Sequence, residues 1–464
     1  MNRLITGAIL AVATPGLGAP FIVEAQKQAP PPPAPARNFT LPATTDFTLP
    51  NGLAVTLIPY GAVPKTWMQL IVRSGNANEA ANQIWLADLV GDLMQEGTTT
   101  RTSEQVSSAA AALGGSINVG VGVDETSIGG SALSEFAPRM VALIADVSQH
   151  PRFPESELSR LKANRRRSLA QSRVQPSALA MEKFRSTLYG SHPYGRLYPT
   201  EAMIDSFTAA QLRSFYDGNF GASRSHLYVA GKFDSRAVEA AIRAGFNGWK
   251  KGTAAPENIP KPVTARSISL IDRPGAVQST LVLGLPVLNP SSPDYPALAV
   301  TNALLGGSFG SRITRNIREN KGYTYSPSSS VSSRYRDAYW AQSADVTTDV
   351  TGASLKEIFY EIERLRSDPP SADELKGIQN YLAGIFVLQN SSPPAIIGQL
   401  RFLNLHGLNR TYLENYVKRV QAVTPAEVRR IARTYLRPDA MSIVVVGDRS
   451  KVASQLGPYG LPQQ

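Results

Sequence analysis

Hydrophobic and polar positions change period several times along the chain. Between Asp46 and Ile58 apolar residues flank an Asn51-Gly52 pair, which predicts a hairpin with a tight turn. Trp67 to Val72 predicts another strand, and Ser127 to Leu133 one more. From Ile84 to Gln95 the apolar residues stand at 85, 86, 89, 90 and 93, a helical spacing, and Phe136 to Ser148 is again helical. Hairpins beside long helices predict an α+β fold rather than a doubly wound parallel sheet.

The pattern then repeats itself. Thr208-Ala-Ala-Gln-Leu-Arg leads through Phe215-Tyr216 to the apolar run ending at Gly231. Thr424-Pro-Ala-Glu-Val-Arg leads through Thr434-Tyr435 to the apolar run ending at Gly447. Each reads as an N-capped amphipathic helix followed by a buried strand, at an offset of 216 (Thr208 to Thr424, Gly231 to Gly447). Upstream, Glu157-Leu158-Ser159-Arg160-Leu161 resembles Glu374-Leu375-Lys376-Gly377-Ile378, an offset of 217. Each opens a long helical pattern broken by proline, at Pro176 in one and at Pro393-Pro394 in the other. A period this long is not a solenoid repeat. It predicts two similar tandem domains, 38–249 and 263–464, joined by a Lys/Gly/Pro-rich stretch at 250–262.

Composition narrows the chemistry. The 464 residues hold 42% hydrophobic and 18% charged residues, a folded composition long enough for two or three domains. With no cysteine, disulfide scaffolds, thiolate metal sites and thiol nucleophiles are excluded. Four histidines, His150, His192, His226 and His406, leave little for an imidazole metal site. The net charge of +11 is scattered, and its one tight cluster, Arg165-Arg166-Arg167, reads as a solvated helix face. No nucleic-acid-binding signature is present. Arg3, the apolar run Leu4 to Val12 and the small residues Val23 and Ala25 predict a secretory signal over 1–25, hence a periplasmic or secreted protein. Gln26 to Arg37, with four consecutive prolines, predicts an extended linker. No stretch of the mature chain reaches the ~20 apolar residues of a spanning helix.

Several motifs then converge. In order, they are Leu49-Pro-Asn51-Gly52-Leu53, Gln95-Glu96-Gly97-Thr98, Tyr189-Gly190-Ser191-His192-Pro193-Tyr194-Gly195 and Gly306-Gly307-Ser308-Phe309-Gly310-Ser311-Arg312, the last leading to Arg318-Glu319-Asn320-Lys321-Gly322-Tyr323-Thr324-Tyr325-Ser326. Over nearly the whole mature chain, these markers and the tandem repeat resemble the pitrilysin/insulinase group of inverted zinc peptidases, and the processing peptidases among them. The resemblance implies two homologous domains forming half of a clamshell, each a mostly antiparallel sheet packed by helices on one face.

Active members of that group carry His-x-x-Glu-His on a helix before a Gly-Thr pair. Two His at i and i+4 share a helix face and hold the zinc, and the Glu activates its water. Counting back from Gly97-Thr98, the motif falls on Asp88-Leu89-Val90-Gly91-Asp92. Both histidines are aspartate and the glutamate is Gly91. The register of the third ligand, a glutamate, falls near Ser168, and no acid stands between Glu157 and Glu182. Two carboxylates without further oxygen ligands make a poor cation site, so no metal and no cofactor is expected in this chain. What the resemblance retains is an arginine and, seven residues on, a tyrosine, matching Arg318 and Tyr325, with Tyr323 a rival for the second. The implied roles are substrate anchoring and oxyanion stabilisation, since both side chains donate hydrogen bonds. Gly306, Gly307, Ser308, Phe309 and Gly310 lack the Lys-Ser/Thr of a phosphate loop and read as a turn beside the substrate cleft. The chain therefore looks like the non-zinc subunit of an exported heterodimeric zinc metallopeptidase, inactive alone, with zinc in a homologous partner and peptide or unfolded protein as substrate. The alternative is a non-catalytic peptide-binding or assembly subunit.

Overall fold

The hairpin predicted at Asn51-Gly52 forms, in the computed structural model of this chain, between strand β1 (Thr45–Thr48) and strand β2 (Ala54–Pro59). Gly52 turns it with a φ of 95°, a backbone region that side chains avoid. The model describes residues 39–461, so the predicted signal and Pro-rich tract lie outside the described residues. The described residues all fall in one compact unit.

Two sheets organise that unit. The first adds β3 (Lys65–Val72), β4 (Ser116–Val121), β5 (Thr126–Leu133) and β6 (Ser225–Gly231), in the order β1-β2-β6-β3-β5-β4. The second contains β7 (Ser267–Asp272), β8 (Gln278–Val287), β9 (Ser328–Arg334), β10 (Asp337–Thr347) and β11 (Ser442–Gly447), in the order β7-β11-β8-β10-β9. Each has one parallel pair, β2 with β6 and β7 with β11, and is otherwise antiparallel. Apart from β1 the two orders superimpose strand for strand, which is the tandem repeat in three dimensions. Edge strands β4 and β9 occupy equivalent places.

Side chains alternate cleanly across both sheets. On one face of the first, Val55, Leu57, Met68, Leu70, Val72, Leu227 and Val229 meet helices α1 (Leu86–Met94), α2 (Ala137–Gln149) and others of the same half. On one face of the second, Leu281, Leu283, Trp340, Ile443 and Val445 meet their own half's helices in the same way.

The opposite faces are apolar as well. Here the expectation of helices on one face only is corrected. Helix α3 (Glu155–Val174) ends at Gln175, and the proline after it starts α4 (Pro176–Tyr189). Ala180, Phe184 and Leu188 of α4 pack on Val282, Tyr339, Ala341, Val444 and Val446 of the second sheet. Reciprocally, α5 (Ala372–Gln389) breaks before α6 (Pro393–His406). Ile396, Ile397, Leu400 and Leu403 of α6 cover Ile58, Ile71, Tyr228 and Ala230 of the first sheet. Each half thus lends a helix to the other. An ion pair fastens the exchange, the half-exposed Arg401 of α6 reaching the buried Glu125 at 2.6 Å.

Two of the four histidines sit in this seam. His406, 3% exposed at the end of α6, has an unpartnered Nδ1. His226 on β6 stacks on Tyr228 and lies 2.8 Å from the Thr56 hydroxyl. Burial pushes both down to about 4. A histidine whose folded pKa lies below its unfolded value contributes stability that is whole above the unfolded pKa, and that is lost as pH falls toward the folded one. Denaturant titration is therefore expected to show a loss of about 2 kcal/mol at about pH 5 relative to neutral pH from His406 alone, and His406→Phe to flatten that segment of the profile. An unchanged profile in the variant would exclude His406 as the source.

Candidate functional site

The first of two candidate sites lies at Asp88 and Asp92, where the zinc motif would be. Helix α1 starts at Trp85, a non-glycine residue at φ 70°, and its first N–H groups are capped from a distance. The amides of Trp85 and Ala87 donate to the Glu79 carboxyl at 3.2 and 2.8 Å. Asn76 Nδ2 bridges Glu79 at 3.1 Å and Asp88 at 2.7 Å. Burial outweighs these donors and lifts Glu79 to about 8, and it also raises Asp88 against the pull of Arg165.

Asp88 and Asp92 stand one turn apart on the same face of α1. Between them comes the guanidinium of Arg165 from α3. Its Nε and Nη2 donate to the two Asp92 oxygens at 2.7 and 2.8 Å. Nη1 donates to Asp88 Oδ1 at 3.1 Å, and Nη2 also to the Asp88 carbonyl at 3.1 Å. Arg165 is 22% exposed, so the solvated-face reading is corrected for this residue; Arg166, paired with Asp205, does face solvent. Gly91 leaves no space either: a Cβ there would stand 2.6 Å from Val121 Cγ2 of edge strand β4. Ser168 is one turn further along α3, its hydroxyl bonded to the Asn164 carbonyl at 3.2 Å and turned to solvent. Among the described residues no three His, Asp or Glu side chains are grouped to hold a metal. The donor set does not fit one, because the carboxylates are already matched to a cation.

The second site is built beside edge strand β9. Two short π-helical turns, Ala303–Gly307 and Thr314–Asn320, frame a pocket of about 390 Å³. Gly306, Ser308, Phe309, Arg318, Tyr325 and Pro327 line it. The loop chain is laid tightly on its neighbours. A Cβ at Gly306 would be 2.6 Å from Gln342 Oε1 and Ser329 Oγ, and one at Gly307 2.4 Å from Asn302 Nδ2. Gly310 meets nothing within 4 Å. Asn316 ties the second turn down, donating to Glu357 at 3.0 Å and to the buried Glu361 at 2.9 Å.

On that turn the Arg318 guanidinium carbon lies 4.3 Å from the Phe309 ring centre and 5.1 Å from that of Tyr325. Tyr325 is 81% exposed. Tyr323 faces the other way, packing on the core of the second half, with its amide bonded to the Ile317 carbonyl at 2.8 Å. The pocket therefore brings Arg318 together with Tyr325, not Tyr323. Arg318 and Tyr325 can both donate to a carbonyl oxygen or a carboxylate, and the Glu319 carboxylate already pairs with Arg318 Nε at 3.3 Å. Sequence reasoning missed Arg165, Asn76, Glu79 and Asn316. Only Arg165 left a signal, lying one turn before Ser168 in α3.

Known proteins share this frame. The family described as insulinase (peptidase family M16) matches residues 62–198, and the peptidase M16 inactive domain matches residues 206–382. An uncharacterized zinc protease of Mycobacterium bovis is 26% identical over 440 residues, covering 90% of this chain and 94% of that protein. One from Rickettsia felis is 26% identical over 321 residues, 68% of this chain and 77% of that protein. A peptidase M16 inactive domain from Pseudomonas fluorescens superimposes with a TM-score of 0.79 at 24% identity, over 87% of this chain and 98% of that one. A protease from Helicobacter pylori does so with a TM-score of 0.82 at 18% identity, over 88% and 100%.

The two tyrosines separate by stability. Tyr323→Ala is expected to lower unfolding free energy by about 2 kcal/mol. Tyr325→Ala is expected to stay within about 0.5 kcal/mol of the parent. Chemical denaturation of both variants checks this, and the reverse order would place Tyr325 in the core.

Proposed function

This chain belongs to the insulinase peptidases of family M16, and from that premise we propose that it is the non-zinc subunit of an exported two-subunit zinc metallopeptidase. A homologous partner carries the metal, and the two subunits close like a clamshell on a peptide or unfolded protein. The observation that carries the reading is the contrast between the two sites. The site at Asp88 and Asp92 is occupied by an internal ion pair, whereas the Arg318/Tyr325 pocket is open and presents an exposed Tyr325 beside an Arg318 held by Glu319 at 3.3 Å. Edge strand β9 beside that pocket supports binding of an extended peptide as an added strand.

In this reading Arg318 anchors the substrate backbone. The Tyr325 hydroxyl donates to the scissile carbonyl oxygen as negative charge develops there. Phe309 and Tyr325 hold the guanidinium between their rings and restrict its search. Water activation is left to the partner, for this chain offers no base at residue 91. Export rests on the predicted signal over 1–25. A second reading, a peptidase-derived subunit for binding or assembly, is favoured by the occupied first site taken alone.

Peptide hydrolysis by this chain, by the zinc-bearing subunit and by their mixture separates the two. Activity confined to the mixture is expected, with Tyr325→Phe lowering kcat by roughly 100- to 1000-fold. A mixture no faster than the zinc-bearing subunit alone, or indifferent to Tyr325→Phe, would assign the chain to binding and assembly.

A further inference from the structure

We propose that Arg165 has taken over the structural work of the missing metal: it is a built-in cation that ties α1 to α3 and bars divalent ions from the site. This inference rests on the first site alone and stands whether or not the chain pairs with a peptidase.

Every carboxylate oxygen at the site is engaged. Asp92 gives both of its oxygens to Arg165. Asp88 gives Oδ1 to Arg165 and Oδ2 to Asn76. A hard divalent ion would need six or more oxygens, and here none of the four is free. An incoming ion would also have to evict a guanidinium whose side chain is about four-fifths covered, leaving that charge in a poorly solvated place. The Trp85 ring, 6.0 Å from the guanidinium carbon, closes one side.

The connection made is the one a metal would make. Asp88 and Asp92 occupy the two histidine positions on α1, and Arg165 comes from α3, the helix that carries the register of the third ligand near Ser168. A metal bridges α1 to α3 through ligands from both helices. Here one planar fork does so through four hydrogen bonds, and Asn76 extends the link to Glu79, the cap of α1. Arginine suits the task and lysine does not, since an ammonium cannot span two carboxylates in one plane. The pair also explains why aspartate stands at both positions: the two acids offset the cation that replaced the ion.

Stability and metal binding of the full chain test the proposal without any assay of hydrolysis. Arg165→Met is expected to lower the melting temperature by roughly 5 °C or more, and hydrogen exchange to quicken in α1 and α3 specifically. The triple variant Arg165→Met, Asp88→Asn, Asp92→Asn, which removes the stranded carboxylate charges, is expected to recover most of that loss, and is informative even if the single variant does not fold. Arg165→Lys should fall between parent and Arg165→Met. Zinc or calcium titrated calorimetrically into the parent chain should give no stoichiometric binding. Stoichiometric zinc binding by the parent, a melting temperature unmoved by Arg165→Met, or a triple variant no more stable than the single one would each overturn it.

Discussion

Strands β6 and β11 are apolar on both faces, and that constraint shapes the rest of the molecule. Leu227, Val229, Ile443 and Val445 need one layer of helices; Tyr228, Ala230, Val444 and Val446 need another. A half of this size supplies helices enough for one face of its own sheet. The second face is covered by exchange, α4 crossing to the second sheet and α6 to the first. The proline breaks that separate α3 from α4 and α5 from α6 make the exchange possible, because each long helix must bend away from its own half to reach the other. The Arg401–Glu125 pair and the two seam histidines are consequences of bringing those helices across.

Much of this was legible in the residues. The hairpin at Asn51-Gly52 and the helix at 84–95 followed from turn chemistry and period, and the helix–strand repeat at 216 predicted the matching sheets. The runs ending at Gly231 and Gly447 lack alternation, which marks strands covered on both sides. Nothing local says which helix does the covering. A pattern of apolar residues on α4 states that the helix is buried but carries no address, and only the global packing assigns it to the far sheet.

The sites divide in the same manner. Arg318 and Tyr325 were singled out through a family resemblance, and the structure lines one pocket with both; the same resemblance singled out Asp88, Gly91 and Asp92. Arg165 was hidden because its partners lie 73 and 77 positions away and its neighbours Arg166 and Arg167 make it look like one of three solvated charges. Asn316 was hidden for a related reason: an asparagine two residues before an arginine carries no signal until the carboxylates of a distant helix are folded against it.

The filled first site also bears on how such a chain can change over generations. A histidine put back at residue 88 or 92 meets a fixed positive charge where it would want a metal. A glutamate put back at residue 91 meets Val121 before it meets water. Loss of the arginine on its own strands two carboxylates. A single substitution toward a metal-binding helix therefore meets an opposing contact that is already in place.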